Sequence, residues 1–197
     1  PLRAGYANGQ HLTDSYLPAL LTEPLYFPDG QIRDEVYVYG SFLQSKMHAA
    51  GVVCTDCHEP HSVRLKIAGD GLCAQCHSPE VFSAAGHHRH PSAAAPACVD
   101  CHMPSRNYMV IDGRRDHSFR IPRPDLTAEI GSPNACNGCH ADQSSAWAAA
   151  ELEKWTGPDA RPRPHIGNVI AAGRQGPDPG PALGVRRGDQ VLDLGSV

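Results

Sequence analysis

The sequence predicts a mostly irregular chain with short α-helices, on three observations. Leu, Ile, Val and Phe number 37 among 197 residues, about 19%, which is poor provision for an aliphatic core. The formal net charge is only −4, so the strong self-repulsion that usually accompanies disorder is missing. The shortage is also local. Residues 54–140 hold 13 of these core formers in 87 positions, whereas the flanks hold 24 in 110. The same middle segment contains all eight cysteines and most of the twelve histidines. Cysteine and histidine stand where leucine would be, which points to a prosthetic group, a metal or disulfides.

The elements follow in order. Residues 1–47 form an N-terminal segment whose apolar residues Leu17, Leu20, Leu21, Leu25, Tyr26 and Phe27 are broken by Pro18, Pro24 and Pro28. Residues 35–43 read equally as a short strand or as a helix running on into Ser45-Lys46-Met47-His48, because so short an apolar run does not fix the period. Residues 48–156 form one cysteine-rich unit, punctuated by the turn signals Gly69-Asp70-Gly71 and Asp112-Gly113. The clearest helix covers 143–156: Ser144 or Ser145 can cap it, Ala148, Leu152 and Trp155 share a face, and Gly157-Pro158 ends it. Residues 157–197 carry eight Gly and six Pro in 41 positions and read as a tail or a truncated repeat.

No apolar run approaches the roughly 18 to 20 residues that span a bilayer. With 17 basic and 21 acidic residues, the chain lacks the electrostatic footprint of a nucleic-acid binder. It begins Pro-Leu-Arg without an n-region or h-region, which reads as a removed signal peptide or a piece of a longer protein.

Four internal repeats stand out. Cys54-Thr55-Asp56-Cys57-His58-Glu59-Pro60 matches Cys73-Ala74-Gln75-Cys76-His77-Ser78-Pro79 and Cys98-Val99-Asp100-Cys101-His102-Met103-Pro104. The fourth, Cys136-Asn137-Gly138-Cys139-His140, lacks the proline. C-x-x-C-H is the attachment signal of c-type haem. Two thiols three positions apart lie on one side of a helical turn, where they can add to the two vinyl groups of one porphyrin. The adjacent histidine then reaches the iron as proximal ligand. Zinc does not require a histidine after every second cysteine. A disulfide framework has no use for it, and a thioredoxin-like motif would occur once beside a βαβ pattern. The sequence therefore calls for four haem c groups, with His58, His77, His102 and His140 as proximal ligands.

Eight further histidines compete for the distal positions: His11, His48, His61, His87, His88, His90, His117 and His165, against only three methionines. This surplus favours bis-histidine ligation. His48 and His61 flank the first motif, His90 and then His87 lead a cluster, and His117 stands alone between the third and fourth motifs. These placements make His48, His61, His90 and His117 the expected distal ligands, with His87 a further candidate. His11 and His165 lie outside the block and read as surface residues. His11 is nonetheless the natural ligand to a haem of a neighbouring subunit if copies polymerise. Arg106, Arg114, Arg115, Arg120 and Arg123 suit haem propionates, although a solvated basic loop explains them as well. With ferric bis-histidine haems counted as −1 each, the net charge moves to about −8, which favours cationic partner surfaces.

Residues 37–155 resemble bacterial multihaem c-type cytochromes with doubled C-x-x-C-H units, whose haem block often precedes tetratricopeptide or HEAT-type repeats. The phrases carrying the resemblance are Ser45-Lys46-Met47-His48, Cys57-His58-Glu59-Pro60-His61, Cys101-His102-Met103-Pro104, Arg115-Asp116-His117-Ser118-Phe119-Arg120 and Pro133-Asn134-Ala135-Cys136. Four-haem electron carriers and pentahaem nitrite reductases are more distant likenesses. The resemblance implies a compact tetrahaem cytochrome c organised around stacked haems, and electron transfer outside the cytoplasm. The nitrite reductase's C-x-x-C-K motif is absent, and no nucleophile–base constellation appears, so the chain reads as an electron carrier rather than an enzyme. Its partners would be redox proteins, and its location periplasmic or extracellular, because haem attachment takes place on the export side. Two alternatives stay open: a protomer of a conducting extracellular filament with haem-to-haem contact between subunits, and a reductase of a small nitrogen or sulfur oxyanion with one five-coordinate haem.

Overall fold

Frequent proline and glycine keep every helix but one under ten residues. A computed structural model describes residues 5–17, 21–157 and 164–176. Their fold is mostly irregular, with short helices and one two-stranded sheet. The helices are α1 (Val38–Phe42), α2 (Lys46–Ala49), α3 (Cys54–Cys57), α4 (Pro79–Phe82), α5 (Ala85–His88), α6 (Cys98–His102), α7 (Asp125–Ile130), α8 (Cys136–Cys139), α9 (Ser145–Thr156) and α10 (Ile166–Arg174). Strands β1 (Ser105–Tyr108) and β2 (Asp112–Arg115) pair antiparallel, with Tyr108 opposite Asp112.

Of the two readings open for 35–43, the helix holds, but in two pieces. α1 ends at Phe42, and α2 restarts behind Ser45, whose side chain accepts from His48 N. The turn expected at Asp112-Gly113 is displaced: both residues lie in β2, and the hairpin reverses at Met109 and Val110, whose φ values are +48° and +72°. α9 forms as its sequence predicts. Ser144 Oγ accepts from Trp147 N at 3.1 Å, and Gly157 ends the helix at φ +84°. Leu20, Pro18, Pro158 and the tail from 177 lie outside the described residues.

The apolar core is small and lies off the cysteine motifs. Tyr26, Ile32 and Tyr108 are buried together, with Leu21, Leu25 and Val36 packed on them. α10 closes over this region. Its Arg174 donates to Leu21 O at 2.7 Å, and Gly167 lies so close to Ile130 and Asp29 that a Cβ there would stand 2.9 Å from Asp29 Cα. The N-terminal segment is bonded into the rest of the chain: Gln31 Nε2 donates to Pro133 O at 2.8 Å, Arg120 to Gln44 Oε1 at 2.8 Å, and Ser41 Oγ to Asp116. Residues 46–107 differ: no described side chain there is buried. Val53, Val63, Leu65, Ile67, Val81 and Phe82 are exposed in that stretch. Among the described residues, no helix is long and apolar enough to cross a membrane.

Candidate functional site

Each C-x-x-C-H motif folds as one tight turn. The N–H groups of His58, His77 and His140 donate to the carbonyl of the first cysteine of their motif at 2.9–3.0 Å. What holds that turn differs from motif to motif. Asp56 accepts from Val53 N at 2.8 Å and Asp100 from Ala97 N at 3.2 Å, so the residue before the second cysteine caps the first and third motifs. In the fourth, Asn134 Oδ1 accepts from Asn137 N at 3.0 Å. The second is a 3-10 turn without such a cap; Gln75 only reaches Leu72 O.

All eight thiols are free. Burial raises the pKa of Cys57 first, followed by Asp56 and then the neighbouring Cys73 and Cys76. Cys98 is pushed up to about 12 by burial, Asp70 and Cys73. Cys101 is raised by burial, then by Cys136, Asp100 and Cys139. Thiols of successive motifs are therefore near enough to influence one another: the first motif's with the second's, the second's with the third's and the third's with the fourth's. Asp70 also accepts from Cys98 N at 3.1 Å, tying the second motif's approach to the third.

The histidines come in pairs. His58 and His117 have ring centroids 6.4 Å apart with planes at 29°. His102 and His87 are 6.0 Å apart at 19°, and His140 and His90 are 6.1 Å apart at 26°. An imidazole nitrogen sits about 2 Å from a first-row metal and about 1.1 Å from its own ring centre, so two imidazoles facing across one iron have centroids about 6.2 Å apart. All three pairs match that span. Among the described residues no group of three or more His, Cys, Asp and Glu converges as a tetrahedral metal site would require.

Backbone carbonyls fix the tautomers. Nδ1 of His58 donates to Val63 O at 2.8 Å, that of His102 to Arg120 O at 2.7 Å, and that of His117 to Arg115 O at 2.9 Å. His90 Nδ1 donates to His88 O. A proton held at Nδ1 leaves Nε2 with the lone pair a metal needs. Burial, then His102 and His88, lower the pKa of His87, which likewise favours the neutral ring.

The histidine cluster divides its work. Arg89, at φ +58°, reverses the chain after α5, so His87 and His90 meet the third and fourth motifs while His88 turns away onto Ser83 O. The remaining candidates lie elsewhere. His48 packs edge-on against Phe42 at 5.4 Å, His11 and His61 are exposed, and His165 Nδ1 accepts from Gly167 N at the start of α10. None of these stands opposite a motif histidine. The ring contact of His77 is with Phe82, at 5.3 Å and nearly perpendicular, and Phe82 makes the same contact with His87. Phe82 and the carbonyl of Val63 are features that sequence reasoning missed. An aromatic five residues after a motif histidine was a usable signal, but the left-handed Val63 was not.

The arginines are mostly committed within the protein. Arg114 pairs with Glu35 and Asp112, Arg115 with Asp100 and two carbonyls, and Arg123 with Asp125. Arg106 lies over the Phe27 ring at 4.7 Å and has no ion pair among the described residues. It borders an open cleft of about 520 Å³ that also touches Cys139, Asn134, Asn137, Arg115 and Gln31. Paired thiols on one turn, imidazoles at the iron-spanning distance, exposed apolar side chains and a cleft beside Cys139 all fit a covalently held porphyrin.

No family model matches the chain, and no curated protein matches it either. Among solved structures, it is similar to the outer cell wall cytochrome OcwA, at 19% identity and a TM-score of 0.57. The likeness covers 76% of this chain and 45% of that one, so the chain spans under half the length of the cytochrome it matches. Over most of its length, then, this mostly irregular, short-helix chain has a cytochrome's fold.

Proposed function

We propose that the chain transfers electrons through four covalently attached c-type haems, one on each C-x-x-C-H motif. The three histidine pairs carry this reading, because nothing in a zinc site or a disulfide framework calls for imidazoles facing each other about 6 Å apart. In this assignment Cys54, Cys57, Cys73, Cys76, Cys98, Cys101, Cys136 and Cys139 form the thioether bonds. His58, His77, His102 and His140 are proximal ligands, and His117, His87 and His90 are distal ligands to the first, third and fourth sites. The iron, when bound, supplies a one-electron couple.

The polypeptide's work is positional. Backbone carbonyls accept from Nδ1 of His58, His90, His102 and His117, which leaves Nε2 of those four to an iron. Asp56, Asp100 and Asn134 fix the turns that present the thiols. The segment from His87 to His90 serves two sites at once and so ties the third to the fourth. The nearness of thiols in successive motifs supports closely spaced centres, which suits conduction. The cytochrome fold of the neighbour supports the electron-carrier reading, and its name as an outer cell wall protein supports a place outside the cytoplasm. Redox proteins with cationic docking surfaces are the partners this acidic chain suits.

Intact-mass measurement of the matured protein tests the proposal. Four attached haems add about 2.5 kDa to the 21.1 kDa polypeptide, and a mass equal to the bare chain or the chain plus zinc would refute it.

A further inference from the structure

Seven histidine rings belong to a motif or face one, and they are held in two different ways. Nδ1 of His58, His90, His102 and His117 donates to a backbone carbonyl. Among the described residues His77, His87 and His140 have no such bond, and each of them meets an aromatic ring instead. Trp147 lies against His140 at 5.0 Å. A single side chain, Phe82, serves the other two.

The local sequence puts Phe82 there. The turn of the second motif ends at His77, and Pro79 opens α4 directly behind it. Val81 N and Phe82 N both donate to Ser78 O, at 3.1 and 3.0 Å, which closes α4 in one turn and brings Phe82 back against His77. Ser83 ends α4, α5 follows at Ala85–His88, and His87 comes up to the same ring. Both imidazole centroids lie 5.3 Å from that of Phe82, with planes at 88° and 85°. Edge-to-face contact at this spacing is a favoured arrangement of aromatic rings. It restricts rotation of each imidazole, which a carbonyl at Nδ1 does at the other sites. His77 and His87 are exposed, whereas the other five rings are half-buried, so Phe82 supplies a larger share of what fixes these two. Phe82 is itself 41% exposed and stands outside the apolar core. Its contacts with the two rings are therefore not a by-product of core packing.

We infer that Phe82 is a positioning residue for two irons at once: it sets the ring plane of His77, the proximal ligand of the second site, and of His87, the distal ligand of the third. Orientation of an axial imidazole tunes the iron it binds, so one side chain adjusts two successive centres together. The inference rests on the four-haem reading, and intact mass separates the two: fewer than four haems on the unaltered protein sinks that reading irrespective of Phe82.

On the full matured chain carrying four haems, Phe82→Ala should change the ferric electron paramagnetic resonance signals of two irons in four, and a spectrum-resolved redox titration should find the potentials of two centres shifted. Phe82→Tyr keeps the ring edge and should give the signals and potentials of the unaltered protein. Val81→Ala, at the exposed neighbour, should leave all four where they are. In a chain that also carries Cys73→Ala and Cys76→Ala, and so lacks the second haem, Phe82→Ala should move one iron only. Should that background fail to mature, the number of irons moved in the four-haem chain decides alone. No change on Phe82→Ala overturns the inference, and so do paramagnetic changes at one iron, or at three or four. A Phe82→Tyr protein that shifts as far as Phe82→Ala overturns it as well, as does a Val81→Ala protein that moves the same two irons.

Discussion

The third and second motifs share a five-letter pattern and differ in almost everything around it. At the third, α6 is capped by Asp100, and Arg115 braces the turn through Asp100, Val99 O and Met103 O. His102 is fixed by Arg120 O and faces His87. At the second, a 3-10 turn presents an exposed His77, whose one aromatic ring contact among the described residues is with Phe82. The motif therefore specifies a local turn, whereas the ring that faces its histidine is decided by chain that arrives from elsewhere. His87 reaches the third site from before it, and His117 reaches the first from beyond the third.

The largest way to break this contrast is to remove the distal residue of a closed site. With haem attached as proposed, His87→Ala should turn one low-spin iron high-spin, because it removes the ring facing His102. Its midpoint potential should also move, as read by a spectrum-resolved redox titration. An unchanged spin count would mean that the His87–His102 pair is not an iron site.

A smaller effect should come from the support behind His117. Asp116 is 4% exposed and accepts from Ser41 Oγ, Ser118 Oγ and Ser118 N, the last at 2.7 Å. Asp116→Ala leaves those donors buried and unpaired and should cost about 2–4 kcal/mol in denaturant unfolding of the matured protein. Burial and the same carboxylate raise the pKa of Tyr26, and with them that of Tyr108 reaches about 12, so both phenols stay protonated around it at any physiological pH.

The smallest effect compares the two turns directly. Asp100→Ala removes a cap and should cost about 1 kcal/mol, with little added from its half-exposed pair with Arg115. Gln75→Ala, at the equivalent position of the second motif, should stay within about 0.5 kcal/mol. Equal losses in thermal melts of the two variants would erase the distinction between a built and an unbuilt turn.

The four motif turns were readable without coordinates, because a turn closed by residues three or four positions apart is a local event. Two thiols and an imidazole on one turn need only their spacing, so all four motifs could be assigned from the letters alone. α9 was equally legible, since Ser144, an apolar face and Gly157 are local signals. The distal partners were less so. His117 and His90 were leading candidates and do face motif histidines, but His87 stood lower and does as well. His48 and His61, favoured for their nearness to the first motif, face no motif histidine. Nearness along the chain misled because Arg89 and Val63 take left-handed backbone that their side chains do not advertise. For the arginines both readings had been left open, and packing gives Arg114, Arg115 and Arg123 the carboxylates of Glu35, Asp112, Asp100 and Asp125 as partners.

The sequence by itself determined that the middle of this chain could not be held by aliphatic side chains, and the absence of any buried described side chain over residues 46–107 agrees. It also placed the four cysteine pairs and their histidines on single turns, since such turns depend on neighbours three or four residues away. Which imidazoles face one another, and that the ring contact of His77 is with Phe82 instead, came from the tertiary packing alone. The pairings depend on contacts between residues tens of positions apart, set by hydrogen bonds such as Ser41–Asp116 and Arg120–Gln44 that no local pattern encodes.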